Sequence, residues 1–76
     1  MGVINNSIIR CTYGEYTLEP RNDEYGNTFF DVYDADDGTF KGELWGYSDC
    51  DTELSEDCDR LAEGLDKAFD EGELMN

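Results

Sequence analysis

The chain has 76 residues, which is enough for one domain with one modest core. Its 20 acidic residues outnumber five Lys and Arg, there is no His, and the formal net charge is −15. The absence of His excludes His-based catalysis. No apolar run is longer than two residues, which excludes a membrane span. The aromatic content of 13% argues against disorder.

Aromatic and β-branched residues punctuated by glycine predict a sheet in the first part of the chain. We predict four short strands, over residues 7–13, 15–19, 28–34 and 40–47. Gly14 separates the first two strands, and Pro20 ends the second strand or places it at a sheet edge. Residues 21–27 read as a turn, and the Asp-Gly pair within residues 35–39 predicts a tight hairpin. Such short connections predict an antiparallel meander.

Alternation along the strands predicts which side chains face the core. Placing Asp31 on the outside turns Phe30 and Val32 inward and leaves Phe29 and Tyr33 on the outer face. In the fourth strand the predicted inward residues are Phe40 and Leu44, and the predicted outward residues are Lys41, Glu43, Trp45 and Tyr47. Ile9, Cys11 and Leu18 complete the predicted inner face.

Helical periodicity is clearest in the last third of the chain. Its apolar positions, spaced by three or four residues, are Leu54, Cys58, Leu61, Ala62, Leu65, Ala68 and Phe69. Asp51 or Thr52 is the predicted N-cap, Gly72 the predicted C-terminal cap, and Gly64 is predicted to mark close packing on the sheet. The predicted fold is α+β, a four-stranded antiparallel sheet with one C-terminal helix across one face (ββββα).

The chain is predicted to be a single domain over residues 1–76, with its charge densest after the sheet. Residues 1–47 carry nine acids and three bases, whereas residues 48–76, the acidic amphipathic helix and tail, carry eleven acids and two bases. Five helix acids lie away from the apolar side: Glu56, Asp59, Glu63, Asp66 and Asp70. A rigid row of carboxylates can occupy an Arg- and Lys-lined groove that normally holds phosphates. The alternative is a solvated helix face, which the i,i+4 pairs Glu56–Arg60 and Glu63–Lys67 favour.

Two further groups of residues are candidates for binding. The first is an aromatic patch on the open face of the sheet, formed by Phe29, Tyr33, Trp45 and Tyr47. Its alternatives are cover by the N-terminal arm or a reversed assignment of the faces. The second consists of the acidic segments 34–38 and 49–53, which resemble the start of a calcium loop but lack its glycine and glutamate spacing. We interpret them as a hairpin turn and a helix cap, with weak divalent-cation binding as the alternative.

The three cysteines carry no recognisable site. No CxxC pair and no His is present, so we expect no zinc site, no other metal site and no cofactor. Cys50 is interpreted as a surface thiol, and Cys11 and Cys58 as small core residues. An odd number of cysteines without a secretion signal predicts free thiols and a cytoplasmic protein.

In size, acidity and element order the chain resembles small phage-encoded anti-CRISPR and antirestriction proteins that mimic nucleic acid. The resemblance implies a cytoplasmic inhibitor that binds the basic surface of a CRISPR effector and blocks DNA access. Our hypothesis is therefore a non-enzymatic inhibitor of a basic nucleic-acid-binding protein or ribonucleoprotein, without nucleic-acid or membrane binding of its own. The helix acids would pair with Arg and Lys of the target, Asp36, Asp37 and Glu43 would extend the surface, and the aromatic patch would add shape-specific contacts. The alternative is an acidic adaptor domain that acts through its aromatic sheet face.

Overall fold

The computed structural model describes residues 8–75 and contains one antiparallel sheet and one helix. The elements are β1 (Ile8–Cys11), β2 (Gly14–Asn22), β3 (Thr28–Asp34), β4 (Phe40–Leu44) and α1 (Ser55–Asp70). The strands lie in the order β1-β2-β3-β4, and each pairs antiparallel with the next. The ββββα fold predicted from the sequence is confirmed.

The core lies between the inner face of the sheet and the apolar side of α1. Its buried members are Ile9, Tyr16, Leu18, Phe30, Val32, Leu44, Cys50, Leu61, Leu65, Ala68, Phe69 and Leu74. The alternation predicted for β3 is confirmed, because Phe30 and Val32 are both in this cluster. Leu54 is exposed and does not join it, although it fitted the helical pattern. Cys11 and Cys58 are half-buried and pack against it.

Strand bounds differ from prediction at three places. β1 is shorter than residues 7–13, and its predicted first residue lies outside the described residues. β2 continues through Pro20, which pairs in register with Phe30, so the proline does not end the strand. The described pairing of β1 with β2 ends at Thr17. At Pro20, therefore, β3 is the one neighbouring strand of β2 that the described residues show, which is a position where a sheet tolerates proline. β4 ends at Leu44 rather than at residue 47.

A register shift reverses the orientation predicted for Phe40. Val32 pairs with Gly42, but Tyr33 pairs with Phe40, which leaves Lys41 as an extra residue in β4. One extra residue in a strand reverses the faces of the side chains on one side of it, here that of Phe40, which precedes Lys41. The Phe40 ring therefore lies beside that of Tyr33, with centroids 5.5 Å apart, rather than in the core.

The two ends of α1 are closed by different means. The predicted side-chain cap is wrong: Leu54 is the N-cap and makes no capping hydrogen bond. Asp51 instead accepts a hydrogen bond from the Glu53 amide at 2.9 Å, which forms a turn ahead of the helix. The C-terminal prediction is confirmed, because Gly72 has a φ of +79° and its amide donates to the Phe69 carbonyl at 3.2 Å.

The residues after the helix return to the open edge of β4. The Met75 amide donates to the Lys41 carbonyl at 2.9 Å, and the Leu74 side chain is buried over Gly42. A Cβ at Gly42 would lie 2.9 Å from Leu74 Cδ2, and the φ of this glycine is +136°. Gly42 is thus required by both the backbone conformation and the packing of the tail.

Candidate interaction surfaces

The solvent-facing side of α1 carries an acidic row. Glu56, Asp59, Glu63 and Asp70 are exposed on it, and Asp66 is half-buried. From Glu56 to Asp70 the row extends for roughly 21 Å, at about 1.5 Å of rise per residue. The apolar residues opposite hold the helix on the sheet, so the row is presented by a fixed element rather than by a mobile segment.

Two of the five carboxylates of the acidic row, Asp66 and Asp70, bind the turn between β1 and β2. Asp66 accepts hydrogen bonds from the Thr12 amide at 2.9 Å and from Thr12 Oγ1 at 2.7 Å, and hydrogen bonding from the Thr12 side chain lowers the pKa of Asp66. Asp70 accepts a hydrogen bond from the Tyr13 hydroxyl, and this bond raises the pKa of Tyr13. The carboxylates left without such a described contact are Glu56, Asp59 and Glu63.

In the described chain, the two basic residues of the helix form no ion pair with the acidic row. Arg60 pairs with Asp49 at 3.5 Å rather than with Glu56. Arg60 and Lys67 both line a cavity of about 430 Å³ between α1 and the segment that follows β4. Two acids, Glu71 and Glu73, line the same cavity, so its charge is balanced. Within the described residues, Arg60 and Lys67 thus flank the row at i,i+4 positions without neutralising any of its carboxylates through an ion pair.

Tyr47 is not part of the aromatic face, which corrects its predicted orientation. The chain leaves the sheet after Leu44, and the Tyr47 ring packs against α1 at Gly64. A Cβ at Gly64 would come within 2.6 Å of this ring. The close approach predicted at Gly64 is therefore present, but the contact is with the segment that follows the sheet.

The outer face of the sheet carries two aromatic pairs. The Phe29 and Trp45 rings stack at 4.4 Å between centroids, and the Tyr33 and Phe40 rings meet at a tilt. Phe29 is buried in its pair, whereas Trp45 is 45% exposed and Phe40 is 43% exposed. The predicted aromatic patch is thus exposed mainly through Trp45 and through Phe40, which the sequence had placed in the core.

Asp31 is a buried carboxylate on this outer face. It is only 6% exposed, and in register it lies between Glu19 on β2 and Glu43 on β4. Acids directly opposite one another on neighbouring strands destabilise a sheet. Arg21 offsets this repulsion by pairing with Asp31 at 2.9 Å. Sequence reasoning missed this pair because it placed Arg21 in the turn over residues 21–27, whereas β2 continues to Asn22.

The acidic side chains of the β3–β4 hairpin accept hydrogen bonds from backbone amides of the same turn. In the hairpin, the Asp34 carboxylate accepts from the Asp36 amide at 2.7 Å, and the Asp37 carboxylate accepts from the Thr39 amide at 2.9 Å. Hydrogen bonding from Thr39 lowers the pKa of Asp37. Among residues 8–75, no three acidic or thiol side chains are grouped so that they could hold a metal ion. Asp36 and Asp37 are exposed at the tip of this hairpin.

Cys50 is a core residue, which corrects its interpretation as a surface thiol. It is 7% exposed, and burial raises its pKa. Because the thiolate is the reactive form, burial and a raised pKa together make this sulfur unreactive. All three cysteines are free thiols.

Comparison with known proteins finds no protein family, no curated protein and no solved structure that matches this chain. In residues 8–75 there is no helix with the length and apolarity that a membrane crossing needs.

The acidic row and the outer face of the sheet lie on opposite sides of the core, and each can attract cations. Carboxylates on α1 and on the outer face of the sheet accept charge-assisted hydrogen bonds from Arg and Lys. Exposed Trp45 and Phe40 rings add apolar area and attract cations through their π faces. Each surface on its own is electrostatically complementary to basic groups.

Proposed function

We propose that the protein is a non-enzymatic inhibitor that binds the basic nucleic-acid-binding surface of a target complex. The most concrete form of this proposal is an anti-CRISPR protein that blocks DNA binding by a CRISPR effector in the host cytoplasm. Arg and Lys residues that normally contact DNA phosphates would instead pair with carboxylates of this protein. Inhibition would then be steric and electrostatic competition for one surface.

The observation that carries the proposal is the acidic row on α1. Glu56, Asp59 and Glu63 project from one side of a helix that is packed on a sheet, and in the described chain neither Arg60 nor Lys67 forms an ion pair with them. Fixed carboxylates lose less conformational entropy on binding than carboxylates on a flexible chain. A net charge of −15 also speeds the encounter with a basic target through long-range attraction.

The remaining proposed contacts fall into three groups. Asp70 lies on the row but also binds Tyr13, and Asp66 contributes its charge while its oxygens hold Thr12. Asp36 and Asp37 add charge at the hairpin tip, and Glu43 adds charge on the outer face of the sheet, across the core from the acidic row. Trp45, backed by Phe29, and Tyr33, beside Phe40, would supply aromatic contacts on that outer face to a target that reaches past the edge of the sheet.

The test is competition with labelled target DNA for guide-loaded CRISPR effectors, both single-protein and multisubunit, over a series of salt concentrations. We expect the protein to displace DNA at low salt and to lose affinity as salt is raised, because exposed charge pairs are screened. Replacing Glu56 and Glu63 by Gln should weaken competition by about tenfold or more, equivalent to roughly 0.7 kcal/mol for each contact.

The matched control replaces Glu19 and Glu24 by Gln, which removes the same charge from exposed sites away from the helix. We expect this control to change the competition by less than about threefold, since only the long-range field is altered. Equal loss in the two double variants would remove the acidic row from the mechanism. Failure of the unmodified protein to displace DNA from any effector would overturn the anti-CRISPR proposal.

A second candidate is an adaptor that acts through the outer face of the sheet, and the exposure of Trp45 and Phe40 favours it. It predicts binding with weak dependence on salt and a large loss on Trp45→Ala, because aromatic residues dominate such interfaces. The salt series therefore separates the two candidates.

A further inference from the structure

An open groove of about 410 Å³ lies at the outer edge of β4. Its lining residues are Phe40, Gly42, Glu43, Trp45 and Glu73. The lining thus combines two aromatic rings with two carboxylates and includes no basic side chain. Its volume lies toward the lower end of the roughly 300–1,000 Å³ range of ligand sites, which suits one side chain of a partner.

Both rings of the groove are held in place by aromatic neighbours. Trp45 stacks on Phe29 at 4.4 Å, and Phe40 contacts Tyr33 at 5.5 Å between centroids. The extra residue at Lys41 turns Phe40 to this face and so places it on the same side as Glu43 and Trp45. A groove with fixed walls needs little ordering when a ligand enters.

The carboxylate of Glu43 is also oriented. Its Oε1 atom accepts a hydrogen bond from Trp45 Nε1 at 3.1 Å, which directs the carboxylate along the Trp45 ring. The other oxygen, Oε2, can accept from a ligand. A ligand that stacks on Trp45 can therefore donate to Glu43 without displacing the existing bond.

We propose that this groove binds the guanidinium group of an arginine side chain from a partner protein. Guanidinium is planar and weakly hydrated, so it stacks on an aromatic ring and donates in its own plane to a carboxylate. Phe40 would cover the aliphatic part of the side chain, and Glu73 would add negative charge at the opposite wall. The inference rests on the proposed function only for the basic nature of the partner.

The experiment is an NMR titration of the ¹⁵N-labelled protein with N-acetyl-arginine N-methylamide. The chain has one Trp, so its single indole N–H signal reports binding at Trp45. Because Trp45 also lines the cavity beside α1, the Glu43 amide, which belongs only to the groove, distinguishes the two sites. We expect saturable shifts of the Trp45 indole and the Glu43 amide, with half-saturation in the millimolar range that a cation–π contact and a charge-assisted hydrogen bond supply together. The neutral isostere N-acetyl-citrulline N-methylamide should bind at least about tenfold more weakly.

Two variants and one control test whether arginine binds in this groove. Glu43→Gln, which retains the acceptor for Trp45 Nε1, and Phe40→Leu should each weaken arginine binding by about threefold or more. Glu19→Gln removes the same charge from β2 on the same face and should leave the affinity within about twofold. Absence of saturable shifts, equal binding of citrulline, or an equal effect of Glu19→Gln would overturn the proposal. Equal binding of the lysine analogue would overturn the preference for guanidinium.

This titration contains neither nucleic acid nor effector, so its outcome is independent of the competition assay. Saturable arginine binding together with failed DNA competition would retain the groove and overturn the proposed function. Successful DNA competition without arginine binding would retain the proposed function and overturn the arginine site in the groove.

Discussion

Gly64 lies against the ring of Tyr47 so closely that a Cβ there would come within 2.6 Å of Tyr47 Cζ. This contact joins the helix to the segment that follows β4, outside the register of the sheet. It also explains a glycine in the middle of a helix, where glycine costs about 1 kcal/mol relative to alanine.

Gly64→Ala is expected to lower the free energy of unfolding by about 1–3 kcal/mol, because overpacking against the Tyr47 ring outweighs the gain in helix propensity. Urea unfolding followed by circular dichroism measures the change. In a Tyr47→Ala background the same substitution should be stabilising by about 0.5–1 kcal/mol, since only the propensity term remains. A stabilising effect of Gly64→Ala in both backgrounds would contradict the close contact.

Leu74→Ala is expected to destabilise the protein by about 2–4 kcal/mol, although only Met75 and Asn76 follow Leu74 in the sequence. Its side chain is 3% exposed and packs over Gly42, where the tail covers the edge of β4. Thermal and urea unfolding provide the measurement. The control is Met75→Ala, because Met75 is 60% exposed and its backbone amide still binds Lys41. Similar losses in the two variants would show that the tail is not anchored by Leu74.

Local patterns predicted the elements but not every face or end. Asp37-Gly38 marked the β3–β4 hairpin, and the helical spacing of Leu61, Leu65 and Phe69 marked α1, because these signals depend only on near neighbours in sequence. Alternation failed at Phe40 because an extra residue in β4 reverses the face, and such a bulge has no reliable signature in one sequence.

Contacts distant in sequence account for the other differences. Thr12 and Asp66 are 54 residues apart, so no local pattern links them. From the sequence alone, all five carboxylates of the acidic row therefore looked equally free to bind a partner. Leu74 is a single apolar residue beyond Gly72 and has no periodic partner to mark it as core. Cys50 follows the sheet, in a segment whose path depends on Tyr47 packing against the helix.

The thiol of Cys50 is expected to resist modification in the native protein. Burial raises its pKa, so at pH 7.5 both access and thiolate fraction are low. With a thiol-reactive chromogen, three thiols should react in urea, and the native protein should show a slow phase. Cys50→Ser should remove amplitude only from the slow phase, with Cys11→Ser as the comparison because Cys11 is half-buried. Loss of the fastest phase in Cys50→Ser would contradict burial.

Asp66 is expected to support stability at neutral pH, unlike its neighbour in the acidic row, Asp59. Hydrogen bonds from Thr12 lower the pKa of Asp66 below the ordinary value of 3.8. A carboxyl group with a lowered folded pKa contributes stability that is full above its unfolded pKa and is lost as the pH falls through the folded value. Asp66→Asn should therefore lower the free energy of unfolding at pH 7 by about 1 kcal/mol.

The pH dependence separates this effect from the general repulsion of a highly acidic protein. Asp59→Asn removes the same charge from an exposed position and should be neutral or slightly stabilising at pH 7. The difference in unfolding free energy between the two variants should shrink as the pH is lowered from 5 to below the folded pKa of Asp66, because the wild-type carboxylate is then protonated. Urea unfolding at several pH values measures it. A difference that is constant with pH would mean that Thr12 does not bind the ionised form of Asp66, and the residue would rejoin the acidic row as a free contact for a basic partner.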